Sequence, residues 1–194
     1  MPKKKSEPRT RSLAGRTVLL GVSGSIAAFK AAALASALRQ RRAAVTVIMT
    51  AAAREFVTPL TFQTLTRNAV VTDMFGPQED FKPEHVALAD RADALVIAPA
   101  TANVIGKIAA GLADDILSAT AMTVDAPVLL APAMNTRMWN NPVVKANVAR
   151  LKRLGYAFVG PVSGRLASGA VGAGRFADVD TVVRAVEDLL AAGG

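Results

Sequence analysis

Four short segments hold most of the residues that could do chemistry. The first is Gly21-Val-Ser-Gly-Ser-Ile26, directly after the apolar run Thr17–Val22. Gly21 and Gly24 permit tight backbone geometry, and Ser23 and Ser25 offer hydroxyls. A helix opening there would present free N–H groups and a positive dipole end, which suits a phosphate. A serine-capped helix start is the plainer alternative. The second segment is Ala98-Pro-Ala-Thr-Ala-Asn103, where Thr101 or Asn103 can cap the next helix and also face a ligand. The third is Ala131-Pro-Ala-Met-Asn-Thr-Arg-Met-Trp139. Its Asn135 can both donate to and accept from a carboxylate, and Arg137 could add charge for an anionic substrate. The fourth is Glu84-His-Val-Ala-Leu-Ala89, which holds the chain's single histidine, His85. Imidazole is the side chain that ordinarily titrates near neutrality, so His85 is the natural candidate for a general base.

Composition removes several other chemistries. There is no cysteine, which excludes disulfides, thiolate metal sites and a cysteine nucleophile, and a lone histidine excludes a polyhistidine metal site within one chain. No metal is expected. The glycine spacing fits neither GxGxxG nor GxxxxGK[ST], and the second apolar run ends in Thr50 rather than an acid for an adenosine ribose. A mononucleotide is therefore favoured over a dinucleotide.

The elements that must position these loops alternate. Apolar runs at Thr17–Val22, Ala44–Thr50, Ala94–Ala98 and Pro127–Ala131 read as strands buried on both faces. Val70–Met74 and Ala157–Val159 read as shorter ones. Helices are expected over Ser25–Gln40, Ala51–Thr66 (broken near Pro59), His85–Ala92, Thr101–Thr123 (interrupted near Gly111), Pro142–Leu154 and Asp180–Ala191. Gly76–Pro83 reads as a polar loop. Val162–Arg175 holds four glycines and little pattern, and is expected to be a mobile loop. Alternating strands and helices predict an α/β fold: a Rossmann-like (flavodoxin-like) three-layer arrangement around a parallel sheet, with ligands beyond the carboxyl ends of the strands.

The 194 residues, 52% hydrophobic and 20% charged, suit one domain with a well-buried core. Of the net +8, much sits in residues 1–16, where Lys3, Lys4, Lys5, Arg9, Arg11 and Arg16 face only Glu7. A solvated, disordered basic tail is expected there, with the domain over 17–194. Nothing in it reads as a signal peptide, and no apolar stretch approaches the ~20 residues of a membrane span. A cytoplasmic protein with neither nucleic-acid nor membrane partner is expected.

Taken together, GSIAAFK (Gly24–Lys30), HVALA (His85–Ala89), APATANVIGKIAAGLADD (Ala98–Asp115), PAMNTRMW (Pro132–Trp139) and SGRLASGAVGAGR (Ser163–Arg175) resemble the homo-oligomeric flavin-containing cysteine decarboxylase family, in order and spacing. The resemblance implies an FMN-binding subunit that assembles as a trimer, or as a dodecamer of trimers, with flavin near a subunit interface. In the coenzyme A branch of the family the substrate is 4′-phosphopantothenoylcysteine. Its thiol is oxidised to a thioaldehyde, carbon dioxide leaves, and the remaining enethiol is reduced to 4′-phosphopantetheine. A second branch makes a C-terminal aminoenethiol from a peptidyl cysteine. Carried over by motif, Gly24, Ser25 and Ile26, Thr50 and Phe56, Thr101, Ala102, Asn103 and Val104, and Ala133 are the cofactor residues. Asn135, Met138 and Arg175 are the substrate residues, and His85 is the catalytic histidine. The flap of the family reads ACGxxGxGR, and its cysteine donates a proton during reduction. Here that position is Ser168, a far weaker acid, which places the reductive half-reaction in question.

Overall fold

The computed structural model describes residues 12–75, 82–165, 169 and 171–192. Six strands, β1 (Thr17–Val22), β2 (Ala44–Met49), β3 (Val70–Val71), β4 (Ala94–Ala100), β5 (Val128–Pro132) and β6 (Ala157–Phe158), form one parallel sheet in the order β3-β2-β1-β4-β5-β6. The helices are α1 (Ala28–Gln40), α2 (Ala51–Arg54), α3 (Pro59–Thr66), α4 (Glu84–Asp90), α5 (Ala102–Ala110), α6 (Ile116–Thr123), α7 (Thr136–Asn140), α8 (Pro142–Arg153) and α9 (Val179–Ala192).

The sheet is apolar throughout because both faces are covered. Val18, Leu20 and Val22 of β1 join one core with Leu34 and Leu38 of α1, Phe62 of α3 and Val182, Val183 and Val186 of α9. Leu19, one residue out of phase, joins the opposite core with Leu88 of α4, Ile105 of α5, Leu117 of α6 and Leu151 of α8. The period of two thus sorts one strand between two layers. Gly21 keeps that phase without a side chain, and a Cβ there would meet Leu117 Cδ1 at 2.4 Å.

The expected α/β fold is the one observed, with differences at its joints. Residues 25–27 form a turn rather than the start of α1, with Ala28 N–H donating to Ser25 O at 2.8 Å. The helix over 51–66 is two helices, α3 taking Pro59 as its first residue. Gly111, at φ 73°, ends α5, and Asp115 starts α6 with a reciprocal capping box to Ser118. The body also begins earlier than residue 17. Leu13 is buried in the first core, and its N–H donates to Arg41 O. Most of the expected polar loop at 76–83 lies outside the described residues.

The largest departure is Val162–Arg175. Instead of a patternless loop it contains an antiparallel pair, β7 (Val162–Arg165) and β8 (Val171–Arg175). The glycines hide any alternation of side chains, but a backbone ladder needs none.

The chain passes from β1 to β2 on one side and returns to β4 on the other. The order therefore reverses between β1 and β4, and a crevice opens beyond their carboxyl ends.

Candidate active site

Two adjoining clefts occupy this crevice. The first, about 510 Å³, is lined by the ends of β1, β2 and β4 and the helix starts that follow them. Ser23, Gly24 and Ser25 form one wall, Thr50–Ala52 a second and Thr101–Val104 a third, while Ala133, Met134 and Met138 add apolar surface. Thr50 Oγ1 accepts from Ala53 N–H at 3.2 Å, and Thr101 Oγ1 accepts from Val104 N–H at 3.4 Å. Each threonine thereby caps its helix and leaves the first N–H groups directed outward. Gly24 packs directly on Ala52, where an added Cβ would lie 2.5 Å from the Ala52 Cβ. Only a side-chain-free residue fits, so the two loops close into one cradle. Donor-rich loops beside an apolar wall suit a phosphate joined to a flat ring.

Ser23 does not serve as a ligand donor. It is buried, its hydroxyl donates to Pro99 O at 2.7 Å, and its oxygen accepts from Thr101 N–H at 3.1 Å. It ties the ends of β1 and β4 together instead.

The second cleft, about 430 Å³, shares Ser25, Ala133 and Met134 with the first. Beyond that shared wall it is lined by Ile26, Phe29, Lys30, Asn135, Arg165, Arg175 and Phe176, among others. Asn135 is the N-cap of α7, and its Oδ1 accepts from Arg137 N–H at 2.8 Å. That bond fixes the amide orientation and leaves its N–H₂ for a ligand. The hairpin closes over this loop. Met134 N–H donates to Gly174 O, and Cβ atoms at Gly172 and Gly174 would strike Thr136 Oγ1 at 2.6 Å and Met134 O at 2.3 Å.

Lys107 and Asp115 complete the first cleft. The Lys107 ammonium contacts Asp114 and Asp115 at 2.7 Å each. Burial pushes the Asp115 carboxyl up, but Lys107 and the Ser118 N–H and hydroxyl outweigh it, so it lies below the usual carboxylate range. Among the groups lining the cleft the Lys107 and Asp115 charges cancel, while Asp114 stands outside the lining.

Residues 6–191 match the family model described as flavoprotein. The chain belongs to that family. This flavoprotein is 50% identical over 175 residues to the coenzyme A biosynthesis bifunctional protein of Bacillus subtilis, covering 90% of the chain and 43% of that relative. It is 43% identical to the Streptococcus mutans protein named "probable phosphopantothenoylcysteine decarboxylase", covering 90% of the chain and 99% of the relative. The chain thus spans less than half of the first relative and nearly all of the second. Among solved structures, a cysteine-to-serine mutant of PPC decarboxylase complexed with pantothenoylaminoethenethiol superposes with a TM-score of 0.81 at 34% identity, over 89% of this chain and 96% of that one. The FMN-dependent cysteine decarboxylase SpaF gives 0.77 at 34% identity, over 92% and 99%.

Most residues expected at the flavoprotein's site do meet in the crevice, but four do not take their expected places. Ile26 lines the second cleft rather than the first, because it projects from the turn before α1. Phe56 lines neither, being exposed in the turn after α2. Arg137 also lines neither cleft, since α7 turns it outward. His85, in the first turn of α4, is half-buried outside both clefts, and its buried Nδ1 has no hydrogen-bond partner among the described residues. Ser168 lies outside the described residues. Trp139 packs against the second core, with the Lys145 ammonium 4.5 Å from its ring centroid. The sequence alone does not mark Lys30, Arg165, Lys107 and Asp115 as site residues. For Lys30 the available signal was a cation in the first turn of a helix that follows a phosphate-type loop.

Proposed function

We propose that this flavoprotein binds FMN in the first cleft and decarboxylates 4′-phosphopantothenoylcysteine in the second, as a step of coenzyme A biosynthesis in the cytoplasm. The observation that supports the reading is the shared wall of Ser25, Ala133 and Met134, across which a substrate beside Asn135 would adjoin the cofactor cradle. The names of the relatives and of both solved structures support the same reaction class.

FMN, when bound, supplies the two-electron acceptor that a cysteine thiol needs before its carboxylate can leave. Gly24, Ser25, Thr50 and Thr101–Val104 would hold it, with N–H and hydroxyl donors toward its phosphate and Ala133 and Met138 toward its ring. The Asn135 N–H₂ donates to the substrate carboxylate and holds it in place, and the Arg175 guanidinium neutralises its charge. His85 accepts a proton from the substrate at an imidazole nitrogen. The hairpin rests on the Asn135 loop and adds Arg165 and Arg175 to the second cleft.

Because His85 lies outside both clefts of its own chain, a homo-oligomer is part of this proposal, a trimer or a dodecamer of trimers, in which a neighbouring copy supplies the histidine. Exposed Ile26, Phe29, Phe56 and Leu60 offer apolar surface for such contacts.

The second reading is oxidative decarboxylation of a peptidyl C-terminal cysteine, ending at the enethiol. It is favoured by Ser168 in place of the flap cysteine. One experiment separates the two. FMN-loaded protein is incubated anaerobically with 4′-phosphopantothenoylcysteine and the products are weighed by mass spectrometry. Loss of carbon dioxide supports the first reading. An unchanged substrate, with a peptide ending in cysteine consumed instead, supports the second. A protein that takes up no FMN refutes both.

A further inference from the structure

The second cleft carries three cations and no acid. Lys30, Arg165 and Arg175 line it, and no carboxylate does. With Arg175 and Asn135 facing the reacting carboxylate, Lys30 is left without a task, and its position is an unfavourable one. It is the third residue of α1, which has no acid in its first turn and no side-chain cap at Ala27. A cation there opposes the helix dipole. No ion pair joins its ammonium to any carboxylate among the described residues. Its contact is with the ring of Phe176, whose centroid lies 5.9 Å away. Phe176 is only 1% exposed, so this ring is a fixed wall that holds the ammonium at the cleft. An arriving anion would relieve both the dipole and the mutual repulsion of the three cations.

That anion is not the carboxylate next to the reacting carbon, which the reading above gives to Asn135 and Arg175. The substrate of that reading carries one other anion, its terminal phosphate, and Lys30 and Arg165 are the lining cations left to meet it. We propose that Lys30 binds the terminal phosphate of the substrate and makes the second cleft selective for a phosphorylated pantothenoyl chain over a peptide, which has no such dianion. This rests on the decarboxylase reading above. The phosphate of FMN has the same chemistry, so the test must separate the two sources.

The experiment compares the FMN-loaded wild type with Lys30→Gln and Lys30→Arg. For each, kcat/KM is measured with 4′-phosphopantothenoylcysteine and with pantothenoylcysteine, and the FMN Kd is measured by fluorescence titration. The wild type should prefer the phosphorylated substrate. Lys30→Gln should lose about 10- to 100-fold on it, through KM, the usual size of one charge-assisted contact. The loss should be confined to that substrate, so that the preference collapses, and Lys30→Arg should restore most of it. Equal losses on both substrates would mean a structural role and overturn the proposal. So would a wild type without preference, or an FMN Kd that weakens by the same factor. Turnover of neither substrate by the wild type, with FMN bound, would instead overturn the decarboxylase reading and this inference with it.

Discussion

Met134 N–H donates to Gly174 O at 3.0 Å, so the loop that carries Asn135 is tied to the hairpin above it. Gly174 adopts φ +139° and leaves no room for a side chain beside Met134 O. Gly174→Ala must therefore push the hairpin off the loop. Turnover is expected to fall by about 100-fold, the penalty of a misplaced binding group, while FMN affinity should change far less because Gly174 lines the second cleft and not the first. Steady-state kinetics and flavin fluorescence check the two halves. An alanine variant with wild-type kcat/KM would show that the hairpin does not position Asn135.

His85→Asn is expected to abolish decarboxylation and leave FMN bound. Its location outside both clefts gives a sharper test. Co-expressed His85→Asn and Asn135→Ala chains, each inactive alone, should recover part of the activity if the imidazole acts across a subunit boundary. Mixed oligomers verified by mass spectrometry but devoid of activity would confine His85 to its own chain's site or remove it from the mechanism.

Acid should unfold the protein at two identifiable carboxylates. The Thr17 N–H, at 2.7 Å, is the main reason the Asp93 carboxyl sits below its ordinary range, burial opposing and Arg16 adding to it. Asp115 is lowered by the partners described above. A carboxyl depressed in the folded state stabilises fully above its unfolded pKa of about 3.9 and loses that contribution as pH falls from there through the folded value. Stability should thus be level in these groups near neutrality and fall below about pH 4. Asp93→Asn should cost about 1.5–3 kcal/mol at pH 7 and flatten the acid limb in urea titrations. An unchanged acid limb would mean that other groups govern it.

Ser168→Cys is expected to shift the product from enethiol toward 4′-phosphopantetheine. Protonating carbon needs an acid, and an alkyl thiol with pKa near 8.5 is far stronger than an alcohol. Anaerobic product analysis decides the point. If the serine chain already yields phosphopantetheine stoichiometrically, the proton comes from elsewhere.

Much of this was legible in the sequence because continuous apolar runs such as Thr17–Val22 have one economical fate, a strand covered on both faces. Thr101 as a cap was legible for a similar reason, being a short-range preference. What escaped depends on distant partners. Nothing near Ser23 says that its hydroxyl is consumed by Pro99, 76 residues away. VGAGR alternates only in placing Gly172 and Gly174 at every second position, and glycine is a poor strand signal, so the pairing of β7 with β8 is hard to read from side chains. Asn135 is legible by type as a ligand residue, but its second duty as the cap of α7 appears only once that helix exists. His85 is legible by type, whereas its place outside both clefts belongs to the packing of α4 against α6.

The Ser23 bridge has a consequence for how the cofactor arrives. Its hydroxyl joins β1 to the β4 end, and Gly24 packs directly on Ala52. These contacts use only the chain's own atoms, so cofactor uptake should cost little ordering entropy. Flavin should then enter and leave by simple exchange, without partial melting of the sheet edge, and amide protection at residues 21–24 and 98–104 should be nearly the same in the empty and loaded protein.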